Sequence, residues 1–303
     1  ATARRERAAE LAERADIALD DWLTAMAACG AFEEREPGTS VTRVPLDVLG
    51  RTEETELHVH VPRTYVAAQP TPLLLSFHGT GGTGASALPG WREISEAVGM
   101  LVLAPSEAGD NQGYGWTERE RAAVLAALRW MRRQYNVDEN RIYATGYSRG
   151  GHLAWDLALR HPGLFAAIAP MSGSPRCSLT QGQNNTRFLE HLVGTPVRGL
   201  QGAKDQDYLV FSVRLAFRRL TQFGATDAEL VEFPDLGHDV DMNAVDWKAF
   251  LAASVRDPKP ERIVQIAARD REGVAADRGR REIVVRDADR FRDVGEGSAV
   301  VAV

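Results

Sequence analysis

Five residues, Gly146-Tyr147-Ser148-Arg149-Gly150, restrict what this 303-residue chain can fold into more than any other stretch. Before them lies Arg141-Ile142-Tyr143-Ala144-Thr145, which is short, apolar and β-prone. After them Leu153-Ala154-Trp155-Asp156-Leu157-Ala158-Leu159 reads as helix. A Gly-x-Ser-x-Gly between a strand and a helix demands a sharp turn that strains the serine backbone. Gly146 and Gly150 are needed where a Cβ would collide with neighbouring chain, and Ser148 Oγ then stands clear. The helix that follows points unpaired N–H groups and partial positive charge at the place where an oxyanion would form. A serine that only caps a helix could carry the same five residues, so the motif needs support from the rest of the chain.

The first support is alternation. Pro72-Leu73-Leu74-Leu75-Ser76-Phe77 is the apolar run of a strand covered on both faces. Similar runs recur at Met100 to Pro105, Leu164 to Ala169, Pro196 to Gln201 and Glu229 to Phe233. Helices are expected at Trp91 to Val98, from a Thr117-Glu118-Arg119-Glu120 capping box to about Tyr135, and over Leu209 to Phe223, closed by Gly224. Asp138-Glu139-Asn140 reads as the turn back to the strand under Ser148. This order predicts an α/β fold, a mainly parallel central sheet with helices on both faces. Functional loops of such sheets lie at the carboxyl ends of strands. The loop His78-Gly79-Thr80-Gly81-Gly82, the loop from Ser106 to Trp116 and the Ser148 turn all fall there.

The second support is chemical. A serine hydroxyl is a poor nucleophile without a base in hydrogen-bond reach, and that base needs a carboxylate to fix its tautomer. Ser148, Asp205 and His238 occur in the order serine, acid, histidine, each at the end of its own expected strand. Asp207 is the alternative acid; Asp205 is favoured because it is nearer its strand. His152, His161 and His191 follow no late strand. The backbone N–H groups of Thr80, with Gly81 next in line, and of Arg149 are the candidate oxyanion donors. Tyr114, Trp116 and Tyr147 are candidates for one wall of a substrate pocket, against ordinary packing for Trp116. His78 is expected to anchor its loop. The alternating run Glu56 to Val61, closed by Pro62, reads as an edge strand, with His58 and His60 on a solvated face. No third ligand at suitable spacing follows that histidine pair, so no metal is expected.

Composition narrows the classes. A net charge of −6 and a pI near 5.7 offer no electrostatic footprint for nucleic acid or anionic lipid. No apolar run approaches membrane-spanning length, so no membrane insertion is expected. Cys29 and Cys177 are too few for a disulfide framework and are expected to be free, with one bridge the alternative. The chain starts at Ala1 rather than Met, and a removed segment or a trimmed start is expected. The compartment, cytoplasmic or secreted after removal of a signal segment, stays open, as does the oligomeric state. Residues 3 to 28 carry apolar positions at spacings of three and four and read as an amphipathic helix packed on the main domain. The expected layout is an N-terminal helix and linker over 1–50, a catalytic domain over 51–256 and an appendage over 257–303. That appendage has strand-like islands at Ile263 to Ala267, Glu282 to Arg286 and Ala299 to Val303, and disorder is its alternative.

Residues from about Glu56 to Ala253 resemble the α/β-hydrolase esterases of the polyhydroxybutyrate depolymerase, feruloyl esterase and phospholipase/carboxylesterase group. The matching features are His78-Gly79-Thr80-Gly81-Gly82, the run Asn140 to Gly151 ending in Gly-Tyr-Ser-Arg-Gly-Gly, Gly202-Ala203-Lys204-Asp205, and Gly237-His238. The resemblance implies a cofactor-free serine esterase acting on a small-molecule or polymer ester. Gln201 departs from it, since such proteins often carry His before the Gly of the acid loop. A serine peptidase of the same fold and a binding protein with an unassembled triad are the alternatives.

Overall fold

The computed structural model describes residues 32–106, 113–176, 184–260, 262–267 and 282–287. The helix expected over 3 to 28, both cysteines and the last expected strand lie outside these residues. The central sheet has eight strands: β1 (Gly38–Val48), β2 (Arg51–Val61), β3 (Thr71–Phe77), β4 (Leu101–Pro105), β5 (Val137–Tyr147), β6 (Ala167–Met171), β7 (Val197–Gly202) and β8 (Ala228–Phe233). Their order is β1-β2-β4-β3-β5-β6-β7-β8. The β1/β2 and β2/β4 pairs are antiparallel and the pairs from β4 to β8 are parallel.

The helices are α1 (Gly84–Ala87), α2 (Pro89–Val98), α3 (Glu118–Gln134), α4 (Arg149–Arg160), α5 (Asp207–Gln222) and α6 (Trp247–Ala253). Two cores explain the unbroken apolar strands. Leu73 and Leu75 face a core with Leu128 of α3, Trp155 of α4 and Phe217 of α5. Leu74, one residue out of phase, faces a second core with Trp91 of α2 and Trp247 and Phe250 of α6. The α3 capping box forms as expected, with Thr117 accepting from Glu120 N–H and Glu120 reaching back to Thr117 N–H.

Three expectations are corrected. The run Glu56 to Val61 is not an edge, because β1 pairs along the whole of β2 and itself forms the border of the sheet. His58 and His60 are buried rather than solvated, since α1 and α2 cover that face. Each has a polar partner: His58 meets Glu56 at 2.9 Å, and His60 lies between Thr39 at 3.0 Å and Glu96 at 3.1 Å. Among the described residues no cluster suited to a metal ion occurs. Asp138-Glu139-Asn140 is not a separate turn but the first part of β5.

The segment after β6 contributes a 3-10 helix, Thr186–Leu192, whose Phe188 and Leu189 are fully buried in the first core. Strands β9 (Arg262–Ala267) and β10 (Glu282–Asp287) pair in parallel, separate from the main sheet. Ile266 of β9 is buried in the first core, and its N–H donates to His191 Nε2 at 2.8 Å.

Candidate active site

Strand β5 lies in the middle of the sheet and delivers Ser148 at its carboxyl end. Ser148 has φ 55° and ψ −115°, a conformation that costs a non-glycine residue of order 1–3 kcal/mol and persists only where the surroundings impose it. They do so here by crowding: a Cβ on Gly150 would run into the Phe77 carbonyl of β3, and one on Gly146 into Gly150 itself. Ser148 N–H donates to the Met171 carbonyl of β6 at 2.8 Å, which fixes the turn from the other side.

Ser148 Oγ lies 2.8 Å from His238 Nε2, and His238 Nδ1 lies 2.8 Å from Asp205 Oδ2. The structure therefore brings together the three residues singled out by chain order. Asp207, the alternative acid, is the exposed first residue of α5. The loops carrying Asp205 and His238 are bonded to each other through Lys204 N–H to the Leu236 carbonyl, 2.9 Å. Their approach is close enough that Gly202 has no room for a Cβ beside the Gly237 carbonyl.

Asp205 is buried, with three donors aimed at it: His238 Nδ1 and Gln201 Nε2, both 2.8 Å from Oδ2, and Gln206 N–H, 2.7 Å from Oδ1. Burial alone would push its carboxyl up, but the hydrogen bonds from His238, Gln206 and Gln201 outweigh it and hold the group below its ordinary value. His238 is held from its backbone as well. The Tyr147 hydroxyl donates to the His238 carbonyl, and the Tyr147 ring packs 5.3 Å from the imidazole.

The loop after β3 runs beside the serine: Gly79 approaches the Tyr147 ring and Ser148 Cβ. Gly82 N–H closes the turn on the Gly79 carbonyl at 3.0 Å, while Thr80 N–H meets no acceptor among the described residues. His78 is buried, its Nδ1 2.9 Å from the Gly79 carbonyl, and burial pulls its pKa down, as suits a neutral loop anchor. Arg149 is the first residue of α4, where backbone N–H groups have no partner within the helix. Its side chain turns away from the serine, donating to the Gly113 carbonyl and to Glu120, each at 2.9 Å. Burial pulls its pKa down to about 10.

Tyr114 is held by its hydroxyl. It is buried, and its hydroxyl donates to Asp156 Oδ2 at 2.7 Å, because α4 carries a fully buried carboxylate that collects donors from several segments. Trp116, at φ 54°, is half-buried and packs on Tyr114 and on His152. Sequence reasoning did not find Gln201 as a partner of Asp205, Tyr147 as an anchor of His238, or the donors around Asp156. Only Gln201 left a trace, as the departure from the family pattern before Gly202.

The family model "Putative esterase" matches residues 51–294, most of the chain and past the end of β10. The chain belongs to this esterase family. Among curated relatives it is 26% identical over 132 residues to poly(3-hydroxyalkanoate) depolymerase C of Paucimonas lemoignei, covering 40% of this chain and 31% of the depolymerase. It is 27% identical over 161 residues to probable feruloyl esterase C of Aspergillus flavus, covering 50% of this chain and 59% of that relative. The chain thus spans about a third to three fifths of the length of these relatives. Among solved structures, a thermostable esterase superposes with a TM-score of 0.53 at 21% identity over 70% of this chain and 58% of its own. An S-formylglutathione hydrolase from Agrobacterium tumefaciens does so with 0.56 at 17% identity over 72% and 94%. These likenesses establish the α/β-hydrolase fold for this member of the esterase family.

Proposed function

We propose that this chain hydrolyses carboxylic esters through an acyl-enzyme formed on Ser148. The observation that carries the reading is the unbroken chain Ser148 Oγ, His238, Asp205, with 2.8 Å at both links, on a turn that holds Ser148 at positive φ. His238 Nε2 takes the Ser148 proton as Oγ attacks the ester carbonyl, and returns it to the departing alkoxide. Asp205, kept ionised by its three donors, holds Nδ1–H and stabilises the imidazolium. The Thr80 and Arg149 backbone N–H groups receive the oxyanion. Water activated by His238 then releases the acid.

Short-chain acyl and aryl esters are the proposed substrates, whether free or displayed on a polymer. The names of the relatives, a poly(3-hydroxyalkanoate) depolymerase, feruloyl esterases and acetylxylan esterases, support ester chemistry of this size. Trp116 supplies the aromatic wall beside His152, and Tyr147 lines the other side of His238. Among the described residues no helix is long and apolar enough to cross a membrane, and no part in the reaction is assigned to a membrane or to nucleic acid. The test compares aryl acetates and butyrates, a long-chain triglyceride emulsion and dipeptide arylamides as substrates of the purified protein and of Ser148→Ala. Turnover of the short esters that Ser148→Ala abolishes is expected. Preference for the arylamides would make it a peptidase, and turnover that survives Ser148→Ala would remove Ser148 from the mechanism.

A further inference from the structure

His152 sits one helical turn beyond Ser148, its N–H donating to the Ser148 carbonyl at 3.1 Å, so its ring shares that face of α4. It lies within electrostatic reach of His238, and burial pulls its pKa down. The Trp116 indole leans on the His152 ring with centroids 5.1 Å apart, and the Arg176 guanidinium lies over the indole at 4.3 Å. A row therefore leads away from the Ser148–His238 pair: His152, Trp116, then a half-buried arginine.

Arg176 differs from the arginines around it. Arg149 pairs with Glu120, and Arg121 and Arg160 pair with Asp156. The Arg176 guanidinium meets no carboxylate among the described residues; it lies over the indole face and near enough to His152 to act on it electrostatically. Stacking on an aromatic face leaves the in-plane N–H fork of a guanidinium open, the edge that grips a carboxylate with two parallel hydrogen bonds.

The row is also built in advance. Asp156 accepts from Tyr114 at 2.7 Å and from Arg121 at 3.0 Å, and Arg121 also donates to the Trp116 carbonyl at 3.0 Å. The same carboxylate accepts from Asn185 at 2.7 Å, and Asn185 in turn accepts from Arg176 N–H at 2.6 Å. One buried group thus fixes both the segment carrying the indole and the segment carrying the cation, so little ordering remains for a ligand to impose. On the other side of His238, burial first and then the negative charges of Asp239 and Asp205 push the Tyr147 hydroxyl pKa up. A second, negative charge on a substrate is drawn toward Arg176 on the Trp116 side.

Resting on the esterase reading, we propose that Arg176, supported on Trp116, is a subsite for a carboxylate carried by the ester substrate a few bonds from the scissile carbonyl. The protein then favours half-esters of dicarboxylic acids, or esters of hydroxy acids, over neutral esters of equal size.

The test uses two matched pairs of aryl esters, a butyrate against a succinate half-ester and phenyl acetate against 4-acetoxybenzoate, with wild type, Arg176→Gln and Arg176→Lys. In the wild type the anionic member of at least one pair is preferred. The ratio of anionic to neutral kcat/KM falls about tenfold or more in Arg176→Gln, chiefly through KM, as expected when a charge-assisted contact is lost. Arg176→Lys recovers part of it, keeping the charge without the fork. Added salt raises KM for the anionic member and leaves the neutral one in place. Because each variant is read as a ratio, a change in the amount of folded protein cancels. Preference for the neutral member of both pairs, or a ratio in Arg176→Gln within about twofold of wild type, overturns the subsite while the esterase reading stands. Failure of wild type on all four esters removes that reading, and the subsite with it.

Discussion

Replacing Asp205 by Asn removes a charge and almost no volume, and the groups around it determine the outcome. Three donors converge on the carboxylate, from His238, Gln201 and Gln206. An amide offers one acceptor oxygen and an NH2, so it cannot meet all three as they stand. One rearrangement satisfies the new amide, His238 and Gln206, at the cost of the Gln201 Nε2 bond to the Gly202 carbonyl. The amide oxygen keeps Gln206 N–H and the NH2 takes the place of Oδ2. The Gln201 amide turns so that Oε1, which has no partner in the wild type, accepts from it. His238 must then accept at Nδ1, and its proton moves to Nε2, facing Ser148. In that tautomer the imidazole cannot take the Ser148 proton. Asp205→Asn is therefore expected to fold with little loss of stability and to lose activity by about 10⁴ in kcat, roughly 5.5 kcal/mol of barrier, as when other triad acids are neutralised. KM should stay near wild type. Asp207→Asn is the control; Asp207 is exposed on the first turn of α5, where its charge is worth about 0.3–1 kcal/mol of helix stability and nothing in turnover. The assay is kcat and KM on an aryl acetate together with the melting temperature. Asp205→Asn within about tenfold of wild type while folded, or Asp207→Asn falling as far, would show that Asp205 does not orient His238.

Tyr147→Phe removes the bond to the His238 carbonyl and should lower kcat about tenfold, the cost of one hydrogen bond of about 1.4 kcal/mol, with little change in the melting temperature; unchanged kcat would show that His238 needs no such anchor. Trp116→Ala should raise KM more than it lowers kcat if the indole, packed on His152, serves as the proposed pocket wall; unchanged kinetics with lost stability would make it a packing residue. Stability measured by urea unfolding should fall as pH drops through the ordinary histidine value of about 6.5. The sign follows from burial: His78 and His152 have lowered pKa values when folded, so the unfolded chain binds more protons in that window and the stabilisation is complete only above it. His152→Gln should flatten that slope, and an unaltered slope would show that His152 does not contribute.

The periodicity of apolar residues made the sheet legible, because strands covered on both faces, such as Leu73-Leu74-Leu75, leave an unbroken signal. The border of the sheet was not legible in this way. Glu56 to Val61 alternates as an edge strand does, yet β1, interrupted by Pro45 and buried in alternation only from Val44 to Val48, is the true edge and covers it. His58 and His60 illustrate the same limit: burial beneath α1 and α2 depends on helices far away in the chain, and polar partners such as Thr39 and Glu96 make it tolerable. In the site, chain order was enough to single out Ser148, Asp205 and His238, because the topology of parallel strands aligns their carboxyl ends. The bond that holds Tyr114 was not legible, because nothing in its surroundings in sequence reveals Asp156, 42 residues on, as its partner. Gln201 shows the opposite case, a residue that breaks a family pattern and turns out to share the carboxylate oxygen bonded to His238.

The central claim is that Ser148 is an activated nucleophile. It is tested most directly by treating the purified protein with a fluorophosphonate and locating the adduct by intact-mass and peptide mass spectrometry. One adduct per chain is expected, on Ser148, absent from Ser148→Ala and formed orders of magnitude more slowly in His238→Ala. No adduct on the folded wild type, or an adduct retained in Ser148→Ala, would contradict it.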